Sequence, residues 1–301
     1  MPELPEAENI RRALQERLPG RRIVRVEVFT PAMRTPLTPL LKANLEGAEF
    51  IAVRRRGRYL AAEITGERAF LMHFGMSGVV RVEPAPVPRR KHEHLFLHLD
   101  DGNVFRFECP RRFSRFELHP LPPGKKFPAA LDKLGVEPLE KGFTATYMFK
   151  RAAGKKSCVK VFLMDNAVVT GIGNIYATET FFSSGVDPRR PAGEITPPEW
   201  RRIVRNAKKI LARAVEAGGT TVSDFLNVDG SRGAFACELQ VYGKAGTPCP
   251  RCGTVIESVT LGGRSSAFCP RCQKQITSPS GRSPSARKAF SRRPRPGGAW
   301  R

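Results

Sequence analysis

Two clusters of residues in this 301-residue chain have types and spacing suited to chemistry. The first is the N-terminal stretch MPELPEAENI, which sets Pro2, Glu3 and Glu6 within six residues of the chain end. Chain ends usually fray, so an amine there becomes a chemical group only if it is held. The second is a pair of CPRC motifs, Cys249/Cys252 and Cys269/Cys272, spaced C-x2-C-x16-C-x2-C. That spacing is the pattern of a tetrahedral zinc site with four thiolate ligands, and it predicts one structural Zn2+ ion per chain. A redox-active or coincidental pairing is the other reading. Seven cysteines, an odd number, argue against a closed disulfide framework, and Cys109, Cys158 and Cys237 are expected to be ordinary buried thiols.

The elements that must position these groups follow from pattern. After Pro5, which suits a first helical turn because its missing N–H would be unpaired there, Ala7, Ile10, Leu14 and Leu18 recur at helical spacing until Pro19-Gly20. Glu6 and Glu8 fall in the first turn, where carboxylates complement the helix dipole. Taken alone, this is also what an ordinary amphipathic helix looks like. Residues 22–120 carry short runs such as RIVRVEVF, FIAVRRRGRYLAAEI, HLFLHLD and NVFRFE between Gly, Pro and Asp-Gly signals, which predicts a sandwich or barrel. The Pro-rich LHPLPPGKKFP at 118–128 suggests a linker. Beyond it the period turns helical, in YMFKRAA, KSCVKVFLMDN, NIYATETFF and PPEWRRIVRNAKKILARAVEAG, the last with Thr196 as a candidate cap. The cysteine ribbon starts near 240. The final stretch from 278 has seven Lys/Arg, no acid and many Pro, Gly and Ser, the composition of a disordered basic tail.

A formal net charge of +23 makes a polyanion the natural partner, with nucleic acid favoured over a membrane surface. No apolar run approaches the roughly 18 residues of a spanning helix, and the acidic start is unlike a signal peptide. A soluble cytoplasmic protein is expected. Between two helical segments, VVTGIGNIYA at 168–177 sets Gly171 and Gly173 in a sharp turn before a helix starting near Asn174, whose N–H groups suit an anion such as phosphate.

PELPEAE, LMHFGMSG (71–78), PRRF (110–113), MDNAVVTGIGNIYA (164–177), ELQVYGKAGTPC (238–249) and the two cysteine pairs, in this order over residues 2–273, resemble formamidopyrimidine-DNA glycosylase. The resemblance implies an α+β multidomain fold. A β-sandwich catalytic domain with an N-terminal helix spans 2–120 and a linker 121–130. A helix–two-turns–helix domain follows at 131–240, with a lesion-recognition loop at 218–235, then a zinc finger at 241–275 and a disordered tail at 276–301. It implies a monomeric enzyme that excises oxidised purines from damaged double-stranded DNA and then nicks the strand. Pro2, freed by loss of Met1, would be the nucleophile, with an amine of ordinary pKa roughly 8. Glu3 would be the acid/base and Glu6 its support. Arg58 and Arg264 match catalytic positions. Met76, Arg111 and Phe113 match the residues that fill the hole left by an extruded base, although by type alone Met76 and Phe113 look like core. His92, Lys155, Lys160, Asn174 and Arg264 match positions that hold backbone phosphates.

Three positions depart from the family pattern. Arg58 stands where a lysine is usual, and arginine is a poor proton donor but a good phosphate clamp. Cys109 replaces an aspartate before PRRF, and Glu93 an aspartate after His92. Two rivals follow: an endonuclease VIII-like glycosylase acting on oxidised pyrimidines, and a DNA-binding relative whose excision is weakened at Arg58.

Overall fold

The computed structural model describes residues 2–86, 88–220, 228 and 233–274. The tail and most of the 218–235 loop lie outside the described residues.

The N-terminal helix forms as its spacing predicts: α1 (Leu4–Arg17) buries Leu4, Ala7, Ile10 and Leu14, with Pro5 in the first turn. It is followed by β1 (Ile23–Val28), α2 (Pro39–Leu45), β2 (Phe50–Arg56), β3 (Tyr59–Ile64), β4 (Arg68–His73), β5 (Val79–Pro84), β6 (Glu93–Leu99), β7 (Asn103–Glu108) and β8 (Arg115–Pro120). The strands form two antiparallel four-stranded sheets, ordered β1-β6-β7-β5 and β2-β3-β4-β8. Their inner faces meet over Phe50, Phe70, Phe105, Phe107 and Phe116, with the α1 face closing the same core. Burying each such ring is worth about 1.5–3 kcal/mol, so the sandwich is a stable frame. A sandwich is therefore what the alternating runs build, and the barrel alternative is not. The helix α2 went unanticipated in a Pro-rich stretch. Thr38 caps it by accepting the Leu41 N–H at 3.2 Å, and two leucines anchor it. Strand β8 extends to Pro120, so the connection starts at Leu121 and carries a 3-10 turn at Ala129–Leu131.

The helical unit comprises α3 (Ala145–Ala152), α4 (Val159–Leu163), α5 (Asn174–Ser184) and α6 (Pro197–Glu216) around its own core, in which Trp200, Tyr176 and Phe181 are fully buried. Of the KSCVKVFLMDN run, only five residues are helical. At the start of α6 Thr196 takes the expected cap position, its N–H donating to Glu199 at 2.9 Å. The ribbon is the antiparallel hairpin β9 (Glu257–Leu261) and β10 (Arg264–Phe268). Buried Glu179 of α5 ties it down by accepting the backbone N–H groups of Gln240, Val241 and Tyr242 at 2.8–3.0 Å. Of the three remaining thiols only Cys109 is buried. Cys158 is half-buried and Cys237 exposed, because Cys109 sits inside the sandwich edge and the other two on the surface of the helical unit.

Candidate active site and nucleic-acid interface

The chain end is held. The Leu4 N–H donates to Gly171 O at 3.0 Å, which pins α1 to the glycine turn before α5. The Glu3 N–H donates to Glu6 Oε2 at 2.7 Å, and the other Glu6 oxygen accepts the Tyr176 hydroxyl at 2.6 Å and the Thr220 N–H at 2.7 Å. Glu3 and Glu6 are only 3% and 2% exposed, and Pro2 is buried beside them. The Glu3 carboxylate accepts the N–H of Gly173 at 2.7 Å and of Ile175 at 3.1 Å. The helix N-terminus expected to await a phosphate thus receives an anion from the protein itself, two of its donors being spent on Glu3. Burial pushes the Glu3 pKa up, aided by the neighbouring Glu6 and opposed by Arg58 and the two amides. A carboxyl raised in this way keeps its proton to higher pH than an ordinary glutamate and can donate it. Burial, and then Glu6, hold the Tyr176 hydroxyl well above its usual pKa, so it stays a donor. Tyr176 is a functional residue the motif reading missed, although it lies inside GIGNIYA.

Arg58 is the second residue of the two-residue turn between β2 and β3, and its Nη2 donates to Ile172 O at 2.9 Å. Glu3 and Arg58 close on either side of Gly173, where a Cβ would stand 2.3 Å from Glu3 Cδ and 2.5 Å from Arg58 Nη2. Only glycine permits that approach. Burial lowers the Arg58 pKa while Glu3 raises it. The guanidinium is therefore part of the Glu3 cluster, anchored to backbone.

Lys160 does not reach the surface. Expected at a phosphate, it is 1% exposed, and its ammonium donates to Asn174 Oδ1 at 2.7 Å, Thr178 Oγ1 at 2.8 Å and Ser266 Oγ at 2.7 Å. All three of its donors are used inside the protein, so it joins α5 to β10 and supports Asn174 from behind. Burial brings its pKa down to about 8. Asn174 in turn donates through Nδ2 to Ser265 O at 3.0 Å. Arg264 and Lys155 are exposed and line, with Arg151, a cleft of about 480 Å3 between α4 and the β9–β10 turn.

A second constellation lies at the rim of the sandwich. Met76 and Phe113 are 44% and 48% exposed, so the core reading of these two fails, and Arg111 Nη1 lies 3.7 Å from Met76 Sδ. The two loops stand back to back: at Gly75 (φ +61°) a Cβ would meet the Phe113 carbonyl carbon at 2.7 Å. His73 Nδ1 accepts the Gly75 N–H at 3.2 Å, and burial together with the nearby Arg58 lowers its pKa to about 4, so it holds the turn as a neutral acceptor. Behind the loops Ser114 Oγ is 2.9 Å from Phe74 O and 3.2 Å from Cys109 Sγ, and the Arg111 N–H reaches Ser77 Oγ at 3.4 Å. Cys109 serves the packing behind Arg111 in place of a carboxylate. The Cys109 N–H also donates to the carbonyl of half-exposed His92 at 2.9 Å, joining that residue to the same rim. Glu93 is satisfied by the Arg106 guanidinium and the Arg90 N–H, each at 2.6 Å, which secures the strand start beside His92.

The four cysteine sulfurs lie within 4.8 Å of one another. Cys249–Cys272, Cys252–Cys269 and Cys252–Cys272 are separated by 3.9, 3.5 and 3.5 Å. Four thiolates about 2.3 Å from a central Zn2+ would be about 3.8 Å apart, so the donor set fits that ion.

Three family models cover these units in the same order. The formamidopyrimidine-DNA glycosylase N-terminal domain matches residues 1–116, the formamidopyrimidine-DNA glycosylase H2TH domain 134–226, and the zinc finger found in FPG and IleRS 246–275. The formamidopyrimidine-DNA glycosylase of Laribacter hongkongensis is 46% identical over 274 residues, covering 91% of this chain and all of that protein. That of Stenotrophomonas maltophilia strain R551-3 is 43% identical over 280 residues, with the same coverage. Among solved structures, a Lactococcus lactis FPG mutant in complex with a Fapy-dG containing DNA superposes with a TM-score of 0.82 at 29% identity, over 91% of this chain and all of the other. The Lactococcus lactis Fpg complex with an abasic site containing DNA gives the same TM-score, identity and coverage. On the agreement of all three units and of relatives matched along their whole length, the chain belongs to the formamidopyrimidine-DNA glycosylase family.

Proposed function

We propose that the chain is a bifunctional DNA glycosylase and AP lyase that removes oxidised purines, 8-oxoguanine and formamidopyrimidines, from duplex DNA. The observation that carries this reading is the chain end itself, pinned through Leu4 to the glycine turn with two buried carboxylates beside it. Holding an amine and an acid together is costly for stability and useful for covalent catalysis.

After loss of Met1, the neutral Pro2 amine attacks C1′ of the damaged nucleotide while the bond from C1′ to the base breaks, and the base departs with a proton. The proline N–H proton is given up as the base leaves, and a proton delivered by Glu3 to O4′ opens the sugar. The resulting iminium has no N–H to lose and so stays a cation. That cation acidifies the C2′ hydrogen, so loss of this proton expels the 3′ phosphate. A second elimination then releases the 5′ phosphate. Glu3 moves the protons at the sugar, Glu6 and Tyr176 hold it in place, and Arg58 sits beside it as a fixed positive charge. Met76, Arg111 and Phe113 fill the gap in the duplex, and His92, Lys155, Asn174 and Arg264 grip phosphates, Arg264 also serving the second elimination. Zn2+ on Cys249, Cys252, Cys269 and Cys272 orients the β9–β10 turn that carries Arg264. The protein acts as a monomer in the cytoplasm; among the described residues no helix is long and apolar enough to cross a membrane.

Borohydride reduction during reaction with 8-oxoguanine DNA is expected to trap one protein covalently per strand. No adduct would leave a non-enzymatic DNA binder. The Lactococcus lactis protein is also seen with an oxidized pyrimidine containing DNA. A lesion panel comparing this chain with its Arg58→Lys variant is therefore the measure of specificity: a large gain with lysine assigns the position to proton delivery, and little change assigns it to charge and positioning.

A further inference from the structure

The turn that delivers Arg58 is held by a carboxylate from the other domain. Glu137, 4% exposed, accepts the Gly57 N–H at 2.5 Å through Oε1 and pairs with Arg55 Nη1 at 2.8 Å through Oε2, with Arg56 Nη1 at 3.6 Å. Three consecutive residues immediately before Arg58 therefore converge on one side chain. The surroundings add to the grip. Arg56 Nη2 donates to the carbonyls of Leu134 and Gly135 at 3.1 and 2.7 Å, and Arg55 Nε reaches Glu8 of α1 at 2.9 Å. Gly57 is left-handed (φ +59°), and a Cβ there would stand 2.0 Å from Thr170 Oγ1. The segment bearing Glu137 is itself bound to the approach to α5: Val136 bridges Val169, and the Thr170 N–H donates to Val136 O at 3.1 Å. One buried carboxylate thus joins the β2–β3 turn to the Gly171–Gly173 turn, the two pieces of backbone that bracket Glu3.

From this we infer that Glu137 is a positioning residue for the reaction: it fixes the β2–β3 turn so that the Arg58 guanidinium lies against Glu3. The inference rests on the proposed glycosylase/lyase reading. A two-residue hairpin turn closes without a buried charge, so the carboxylate serves to seat this turn against the helical unit rather than to form it. Burying a carboxylate among two guanidiniums and an amide is tolerated when all its oxygens are used, and removing it leaves buried arginines without a counter-charge.

The test is a double-mutant cycle between Glu137→Gln and Arg58→Ala, read by single-turnover cleavage of abasic-site DNA and by DNA affinity. Glutamine keeps an acceptor for Gly57 and loses the charge that gathers the arginines. Misplacement on the order of an ångström lowers chemistry by about 10-fold to 100-fold, so that loss is expected for Glu137→Gln, with affinity changed less than about threefold. In the Arg58→Ala background the same substitution is expected to cost less than about twofold, because the group it positions is gone. An equal loss in both backgrounds, or no loss in either, overturns the inference. Should Glu137→Gln fail to melt cooperatively, Glu137→Asp, which keeps the charge on a shorter arm, runs the same cycle, and the same pair of results supports or overturns the inference. Failure of the wild-type chain to form a borohydride adduct on abasic DNA would instead sink the glycosylase reading itself.

Discussion

The chain-end cluster and the sandwich rim depart from ordinary burial in opposite directions. At the chain end, Glu3 and Glu6 are buried and every oxygen has a partner. At the rim, Met76 and Phe113 are exposed beside Arg111. Charges inside and large apolar groups outside both cost free energy that a merely stable protein would avoid. The difference lies in where compensation comes from. The buried carboxylates are compensated within the protein, by amide donors and a guanidinium, and so are rigid before substrate arrives. The rim's apolar side chains are left in water by the fold; on the proposed reading they are covered when the interior of a base stack closes on them. On the proposed reading, one region is preorganised for chemistry and the other is completed by DNA.

The sharpest way to break that contrast is Glu3→Gln. It is expected to lower single-turnover base excision by about 10²- to 10⁴-fold while DNA affinity hardly changes. Because burial raises the Glu3 pKa, the wild-type rate should fall as pH rises through that pKa and the acid form is lost, and this alkaline limb should vanish in the variant. A retained limb would assign it to another group. Chelating the metal comes next: DNA affinity should drop at least about 100-fold as the Arg264 turn loosens, while the strand signal in circular dichroism persists, since the sandwich has its own core. Unchanged binding would remove the ribbon from the interface.

The rim and core phenylalanines make a direct pair. Phe107→Ala should destabilise by about 3–5 kcal/mol in denaturant melts, and Phe113→Ala by less than about 0.5 kcal/mol, with the order reversed for excision of a paired lesion. Equal stability losses would mean that Phe113 is core after all. The pH dependence of stability gives a smaller effect. His73 has a folded pKa of about 4 against an ordinary 6.5, so the folded state binds fewer protons than the unfolded chain between those values. Its contribution is complete above pH 6.5 and lost as pH falls toward 4. His73→Gln should flatten that acid limb by about 1–2 kcal/mol in urea melts. Smallest is Lys155→Ala, expected to reduce the salt slope of DNA binding by about one, as for a single phosphate contact. A slope equal to wild type would take Lys155 off the phosphate path.

Much of this arrangement is legible in the residues. The α1 helix announces itself by Pro5 and its apolar period, the zinc site by two cysteine pairs, and the α5 start by the glycines that precede Asn174. Each is a local signal, written within a few residues of where it acts. The course of Lys160 is not of that kind. As a type it belongs at a phosphate, but Asn174, Thr178 and Ser266 lie 14, 18 and 106 positions further along, and only packing brings them round its ammonium. The same holds for Glu137, 80 positions from the turn it grips, and for the exposure of Met76 and Phe113, which residue type alone assigns to the core.

What the sequence by itself determined is therefore the set of chemical groups and the local elements that carry them: a proline and two acids at the start of a helix, two cysteine pairs at zinc-site spacing, a glycine turn opening a helix, and an excess of positive charge. What only the tertiary structure decided is which charges face one another and which apolar groups are left uncovered. Electrostatic energy and solvent exposure depend on distances between residues far apart in the chain, and the periodicity of a single element cannot encode them.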